Sequence, residues 1–456
     1  MFKNPEFIRN TWTELTLKKL IAMPLLLITV YLLAYMLNES LPFSILPLLC
    51  VSFYAIFTYI WSTRLTAETV VKEINANTWS FQIMTSMSPL KMTIGKLFGS
   101  TVYIWYGNLI CFILYWISFH LHQERLPEVT DNELMINILL FVLFGLAAQI
   151  MPLLLSLHSI RWRHFFEKFD VTFFQFMGVA MFIPLYKVMT GDNSGLVWYG
   201  AHYSSKTAAI IFVSIFIVWG FIAIANQIKT EFGQEPYPIS WLLFAISLVA
   251  VLFGFNDYQS DIPLTAFAGT LSAFFAVLCM TYLTLCGESN MALRPHMVSK
   301  YYHTKQYKRL LMIMPRSLVT IPVILVLAFV LSHQFGSIGE AQGSGITFMV
   351  WAMIMFMLRD FCFIYLWSLF AQGNEKETTV VPVLISLATY TIIPIIFNHF
   401  DLKIFCPLFM PYFYENQFLS YNESAFLTVI PPAIEFVFMS VLLILGLKKK
   451  FKQLQA

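Results

Sequence analysis

Apolar positions in this chain come in long runs separated by short polar stretches. Crossing the hydrocarbon core of a bilayer takes about 20 consecutive apolar residues. Twelve runs meet or approach that length: roughly 20–37, 43–62, 97–121, 134–157, 170–190, 206–228, 239–256, 264–286, 312–333, 346–370, 380–397 and 424–446. Ahead of the first run, Ile8, Trp12 and Leu15 recur on one helical face with Arg9, Lys18 and Lys19 beside them. That pattern predicts a helix lying in the membrane interface. Residues 1–19 lack a small-residue cleavage site and lead into a run long enough to span, so they do not read as a signal peptide.

One polar-leaning stretch departs from the rhythm. Thr66–Lys96 carries Glu68, Lys72, Glu73, Lys91 and Lys96, but Val70 and Ile74, and Ile83 and Met87, repeat at four-residue steps. This periodicity predicts helices rather than a solvated loop. Ser88-Pro89 marks the end of one helix and the start of the next, because proline disfavours helix before itself and suits a first turn.

Composition agrees with a membrane protein: 58% of the 456 residues are hydrophobic and only 12% are charged. Soluble domains carry about a quarter charged residues. A net charge of +3 is too slight to point to nucleic acid. The six cysteines are scattered through apolar runs and the histidines lack metal-ligand spacing, so neither disulfides nor a metal site are expected. No zinc, haem or nucleotide-binding glycine motif occurs, and Gly95-Lys96 lacks the rest of a phosphate-binding loop. No Ser/His/Asp or paired-carboxylate arrangement suggests an enzyme.

Lys and Arg set the orientation. With the N-terminus in the cytosol, all but six of the 28 fall on the inner side. Arg125, Lys187, Lys206 and Lys403 lie outside, and Arg316 and Arg359 lie within spans. Both termini are then cytosolic, and Arg316, near an inner span end, snorkels to the headgroups.

The two halves resemble each other. Pro184 closes an aromatic run in the fifth span, and Pro394 closes the corresponding run 210 residues later in the eleventh. A slightly larger offset lays Glu288 onto Glu73. The chain thus reads as an all-α polytopic membrane protein of about 12 spans in two parallel six-helix repeats. Residues 1–230 form the first repeat, with its hairpin at 66–96. Residues 231–456 form a diverged second, with a basic cytosolic loop at 287–311. No loop reaches the ~50 residues of a small soluble domain, so energy from a nucleotide must come from another polypeptide.

Few ionisable groups lie inside spans, where burying charge is costly enough to imply a purpose. They are Arg359, Asp360 and Glu435. Helical neighbours lie about 100° apart, so Arg359 and Asp360 are not expected to face each other, and each should have a partner on another helix. A structural pair of Arg359 with Glu435 and direct contact with cargo both stand open. Gln149 occupies the place in the first half that corresponds to Arg359. Pro431-Pro432 is expected to interrupt the last span, and the aromatic, proline-broken segment before it reads as an external cap or a packed loop.

The stretch KEINANTWSFQIMTSMSPLKMTIGK, followed by LFGSTVYIWYG, resembles the membrane subunits of ABC-2-type ABC transporters. Their loop after the second span runs from an acid through a small-residue-plus-Thr turn and a short apolar helix to Ser-Pro and Gly-Lys. Glu73, Asn77, Thr78, Trp79, Gln82, Ser88, Pro89, Gly95 and Lys96 take those places here, with Glu288 as the counterpart in the second half. The resemblance implies an exporter core in the bacterial cytoplasmic membrane. Its hairpin would seat in a groove of a separate ABC ATPase subunit, present in two copies. ATP and magnesium would be bound by that partner, with no cofactor in this chain, and the substrate is unspecified. Family members often carry six spans and pair as dimers, whereas both halves are joined here. The second loop also lacks the Pro and Gly-Lys. The alternative is an ion- or proton-coupled twelve-span carrier of the major facilitator class. That class has a short first inward loop and a long central one, the reverse of this chain.

Overall fold

In the computed structural model, residues 4–36, 45–84, 87–121, 130–159, 171–190, 195–234, 238–257, 266–287, 294–307, 309, 315–336, 340–370, 377–400 and 421–455 are described. They are helical apart from turns and one small hairpin of two strands. Among them, ten helical stretches are long and apolar enough to cross a membrane, the make-up of an all-α integral membrane protein. The seventh and eleventh expected spans coincide with shorter apolar helices, Ile239–Phe253 and Ala388–Phe397. By its contacts the chain divides into two compact units, Met1–Leu196 with His202–Pro236, and Val197–Ala201 with Tyr237–Ala456.

The first unit opens with α1 (Pro5–Glu14). Asn4 caps it, its side chain accepting from the Glu6 N–H at 3.2 Å, and Pro5 fills the first turn where no donor is needed. After α2 (Leu17–Met36), α3 (Ile45–Ala55) passes without interruption into a π-helical turn, Ile56–Ser62, and on into α4 (Thr63–Asn75). The expected boundary between span and hairpin does not exist; one continuous rod joins them. The hydroxyls of Ser62, Thr63 and Thr66 bond back to the carbonyls of Thr58, Tyr59 and Ser62. Such back-bonding bends helices and accompanies the wider π turn.

Asn77 ends the rod in the left-handed region (φ 55°), which Asn tolerates better than most residues. Short α5 (Trp79–Ile83) follows. Then α6 (Pro89–Gly99) starts on Pro89 after an extended Ser88. A turn at Ser100–Thr101 separates α6 from α7 (Val102–Leu121), so the third span begins five residues later than expected. Next come α8 (Asp131–Ser159), α9 (Val171–Val179), α10 (Phe182–Thr190) and, after a two-stranded hairpin, α11 (Ser205–Glu231). The fifth expected span is therefore two helices. Pro184 sits in the opening turn of α10, and the break falls four residues before it. That is where a proline ring collides with helical backbone.

The hairpin is fastened to α8 and α11. Val70 of α4, Trp79 of α5 and Met92 and Leu97 of α6 are buried against Ile150, Leu153 and Leu157 of α8 and Ile224 and Ile228 of α11. Fully burying such a side chain contributes about 1.5–3 kcal/mol, so α4–α6 are a fixed part of the unit.

The second unit contains α12 (Pro238–Phe253), α13 (Ala268–Gly287), α14 (Arg294–His303), α15 (Arg316–Gly336), α16 (Glu340–Phe370), α17 (Glu377–His399) and α18 (Tyr421–Gln455). Phe274 and Val277 of α13, Ile324, Ala328 and Leu331 of α15, and Ile354 of α16 form its core. Trp198, from the strand hairpin β1 (Leu196–Trp198) and β2 (Ala201–Tyr203), donates to the Val251 carbonyl of α12 at 2.9 Å. One sequence expectation fails here, since Pro431-Pro432 lies inside α18 without interrupting it. Pro394 likewise lies inside α17, five residues before its end. Prolines persist in apolar helices because packed neighbours and local adjustments satisfy the freed carbonyls. The segment read as an external cap lies largely at 401–420, outside the described residues.

Candidate functional site

The hairpin is braced from within by four charged side chains. Lys96 of α6 is fully buried, and its ammonium meets the carboxylate of Glu73 on α4 and lies 3.5 Å from that of Glu6 on α1. Arg9, one turn along α1, donates to both acids, at 2.8 Å to Glu6 and 2.7 Å to Glu73. Gln82 of α5 adds a bond to Glu73 at 2.6 Å, and the Trp79 ring lies 5.2 Å from the Lys96 ammonium. Two acids and two bases balance, so the cluster carries no net charge, with Lys96 fully buried and Arg9 half-exposed at its edge.

The close fit of α1 on α6 depends on two small residues one turn apart. A Cβ on Gly95 would lie 2.7 Å from the Glu6 side chain, and one on Gly99 2.9 Å from Asn10. Asn10 donates to the Gly95 carbonyl at 3.2 Å, and Asn4 donates to that of Lys91. Small residues at this spacing let helices approach closely, as in membrane helix pairs. On the opposite side of α1, Ile8 and Trp12 remain exposed, Trp12 at 81%.

The expected site residues therefore separate into two sets. Glu73, Trp79, Gln82, Gly95 and Lys96 face inward and hold the hairpin together. Asn77, Thr78 and Ser88 face outward, and Pro89 is half-buried at the start of α6. Beside the outward set stand two large apolar side chains, Phe81 at 71% and Met84 at 82% exposure, three residues apart across α5. Asn4, Glu6, Arg9 and Asn10 are not legible from the apolar periodicity of α1, which points only to its Ile8/Trp12 face. The available signal was the Gly95/Gly99 spacing, which calls for a helix packed against it. Glu288 lies outside the described residues.

In the second unit Arg359, Asp360 and Glu435 come together. The Arg359 guanidinium donates to Asp360 Oδ1 from Nε at 3.1 Å and from Nη2 at 2.9 Å. Its Nη1 reaches Glu435 Oε2 on α18 at 2.5 Å, and Nη2 also contacts the Tyr390 hydroxyl of α17 at 3.0 Å. Asp360 Oδ2 accepts from Tyr282 of α13 at 2.9 Å and from Tyr390. The expected Arg359–Glu435 pair is present. The expectation that Arg359 and Asp360 do not face each other is overturned. Three flexible methylenes bring the guanidinium back to its neighbour's carboxylate, and the 100° between their Cβ directions does not prevent it. The ring of Phe356 lies 4.7 Å from the guanidinium carbon. Tyr282 and Tyr390, which complete the network, carried no sequence signal that set them apart from other span tyrosines.

No family model, curated protein or solved structure matches this chain.

Proposed function

We propose that this chain is the membrane subunit of an ATP-driven ABC-2-type exporter. It has twelve spans in two parallel six-span halves, both termini in the cytosol, and takes its driving force from a separate ATPase present in two copies. The observation that carries this reading is the exposed Phe81/Met84 pair at the end of a hairpin stiffened by buried ion pairs. A lever that receives a push needs apolar knobs to bind and a rigid link to transmit. Here α3, the π turn and α4 give that link, running unbroken from a membrane-spanning segment to Asn75. ATP and magnesium belong to the partner, and the apolar, aromatic spans suit a hydrophobic or amphipathic cargo.

The test is co-purification from the native membrane. An ABC ATPase should accompany the wild-type chain and be lost on Phe81→Asp with Met84→Asp, while the chain itself stays folded. Cargo movement by the purified chain alone, driven by an ion gradient, would sink this reading in favour of an ion-coupled carrier.

A further inference from the structure

We propose that the segment from α14 to Arg309 binds the phosphate headgroups of anionic phospholipids, through Lys300, Lys305 and Arg309. The proposal does not rest on the exporter reading. It starts from charge. Arg294, Lys300, Lys305, Lys308 and Arg309 fall within one short stretch, and no acid occurs between Glu288 and Glu340. Basic clusters of this size beside a membrane-spanning helix attract anionic lipid.

The local fold brings two of these charges to one concavity. The Lys305 N–H donates to the Tyr302 carbonyl at 3.1 Å, and the Gln306 N–H to the Tyr301 carbonyl at 3.0 Å. This Schellman-type turn closes α14 and sets Lys305 in the left-handed region (φ 55°), where glycine is the usual residue. Lys305, Gln306, Tyr307 and Arg309 then line an open concavity of about 490 Å³. Gln306 accepts one N–H of the Arg309 guanidinium at 3.0 Å. That bond orients the fork and leaves donors for two phosphate oxygens. The ammonium groups of Lys300 and Lys305 are exposed, with no hydrogen bond or ion pair among the described residues.

Position favours the bilayer over a soluble ligand. Only residues 288–293 separate α13 from α14, and only 310–315 separate Arg309 from α15. Both flanking helices are long and apolar enough to cross a membrane. A tether of that length reaches about 20 Å when fully extended, so the segment stays beside the membrane. Met297, Tyr302 and Tyr307 are exposed next to the cations. Tyrosine, with an apolar ring and a polar tip, settles at headgroup depth.

The test uses the full chain in nanodiscs of phosphatidylcholine, with or without phosphatidylglycerol. Deuterium exchange over 294–309 and native mass spectrometry of retained phospholipid provide the readouts. Phosphatidylglycerol should slow exchange in this segment and be retained in preference to phosphatidylcholine. Lys300→Gln and Arg309→Gln should each lower that preference on the order of fivefold. Lys305→Gly, which keeps the turn, should do the same. High salt should weaken the preference in the wild-type chain, a reading that needs no variant. Equal retention of both lipids, or a preference unchanged in all three variants, would overturn the proposal. Protection by inorganic phosphate in phosphatidylcholine alone would assign the site to a soluble phosphate compound instead. Protection that appears only with a co-purified protein would make the segment a partner contact, and either result removes the lipid assignment.

Discussion

The ammonium of Lys96 meets the carboxylate of Glu73 across 23 residues of chain, with no part of the lysine side chain exposed. Both residues sit where the resemblance to ABC-2 permeases places a contact with a partner. Their geometry instead gives them a structural task, holding α4 against α6 and both against α1. Removing one partner of a buried ion pair typically costs about 3–5 kcal/mol, because the other charge is stranded. Lys96→Met should lower the melting temperature of the detergent-solubilised chain accordingly. Adding Glu73→Gln to it should restore part of the loss. A Lys96→Met variant that melts like the wild type would show that the network contributes nothing.

At Gly95 the issue is space. A methyl there has to displace the Glu6 side chain, against which it would sit at 2.7 Å. Gly95→Leu should therefore push α1 off α6 without disturbing the membrane helices. The check is limited proteolysis: cleavage between α1 and α2 should accelerate in the variant. Equal protection of α1 in both proteins would mean that the helix is held by something else.

Exposed positions on the hairpin should separate binding from stability. Phe81→Asp and Met84→Asp alter side chains that are largely solvent-exposed, so each should change stability by no more than about 0.5 kcal/mol. Trp79→Ala removes a buried side chain, and aromatic truncations in cores cost about 3–5 kcal/mol. A thermal melt of the three variants ranks them. Severe destabilisation by the aspartates would show that α5 is covered by another part of the chain.

Within the intramembrane network Arg359 is the hub. Arg359→Met leaves Asp360 and Glu435 without their cation and should reduce the yield of folded protein far more than Glu435→Gln, which keeps the volume and leaves the Arg359–Asp360 pair in place. Folded yield by size-exclusion chromatography decides the order. Equal yields would argue that Arg359 is not what holds α16 to α18.

What the sequence determined was everything set by local periodicity. Run length and hydropathy specify apolar helices almost wherever they occur, since backbone groups in lipid must bond within their own segment. Ser88-Pro89 likewise fixed the start of α6, because proline acts on its immediate neighbours. Arg359 and Glu435 were legible as a pair because so few charges lie in the spans.

Only the tertiary structure decided which face of each helix is used. Glu73 and Lys96 look like surface charges in a polar loop until α1 closes over them, and that closure depends on a contact more than 60 residues distant along the chain. The same holds for Tyr282 and Tyr390, two tyrosines among 21, whose hydroxyls matter because helix packing brings them to one aspartate. The continuity of α3 into α4 was hidden for a related reason. A fall in hydropathy marks a change of surroundings, while backbone hydrogen bonding can continue straight through it.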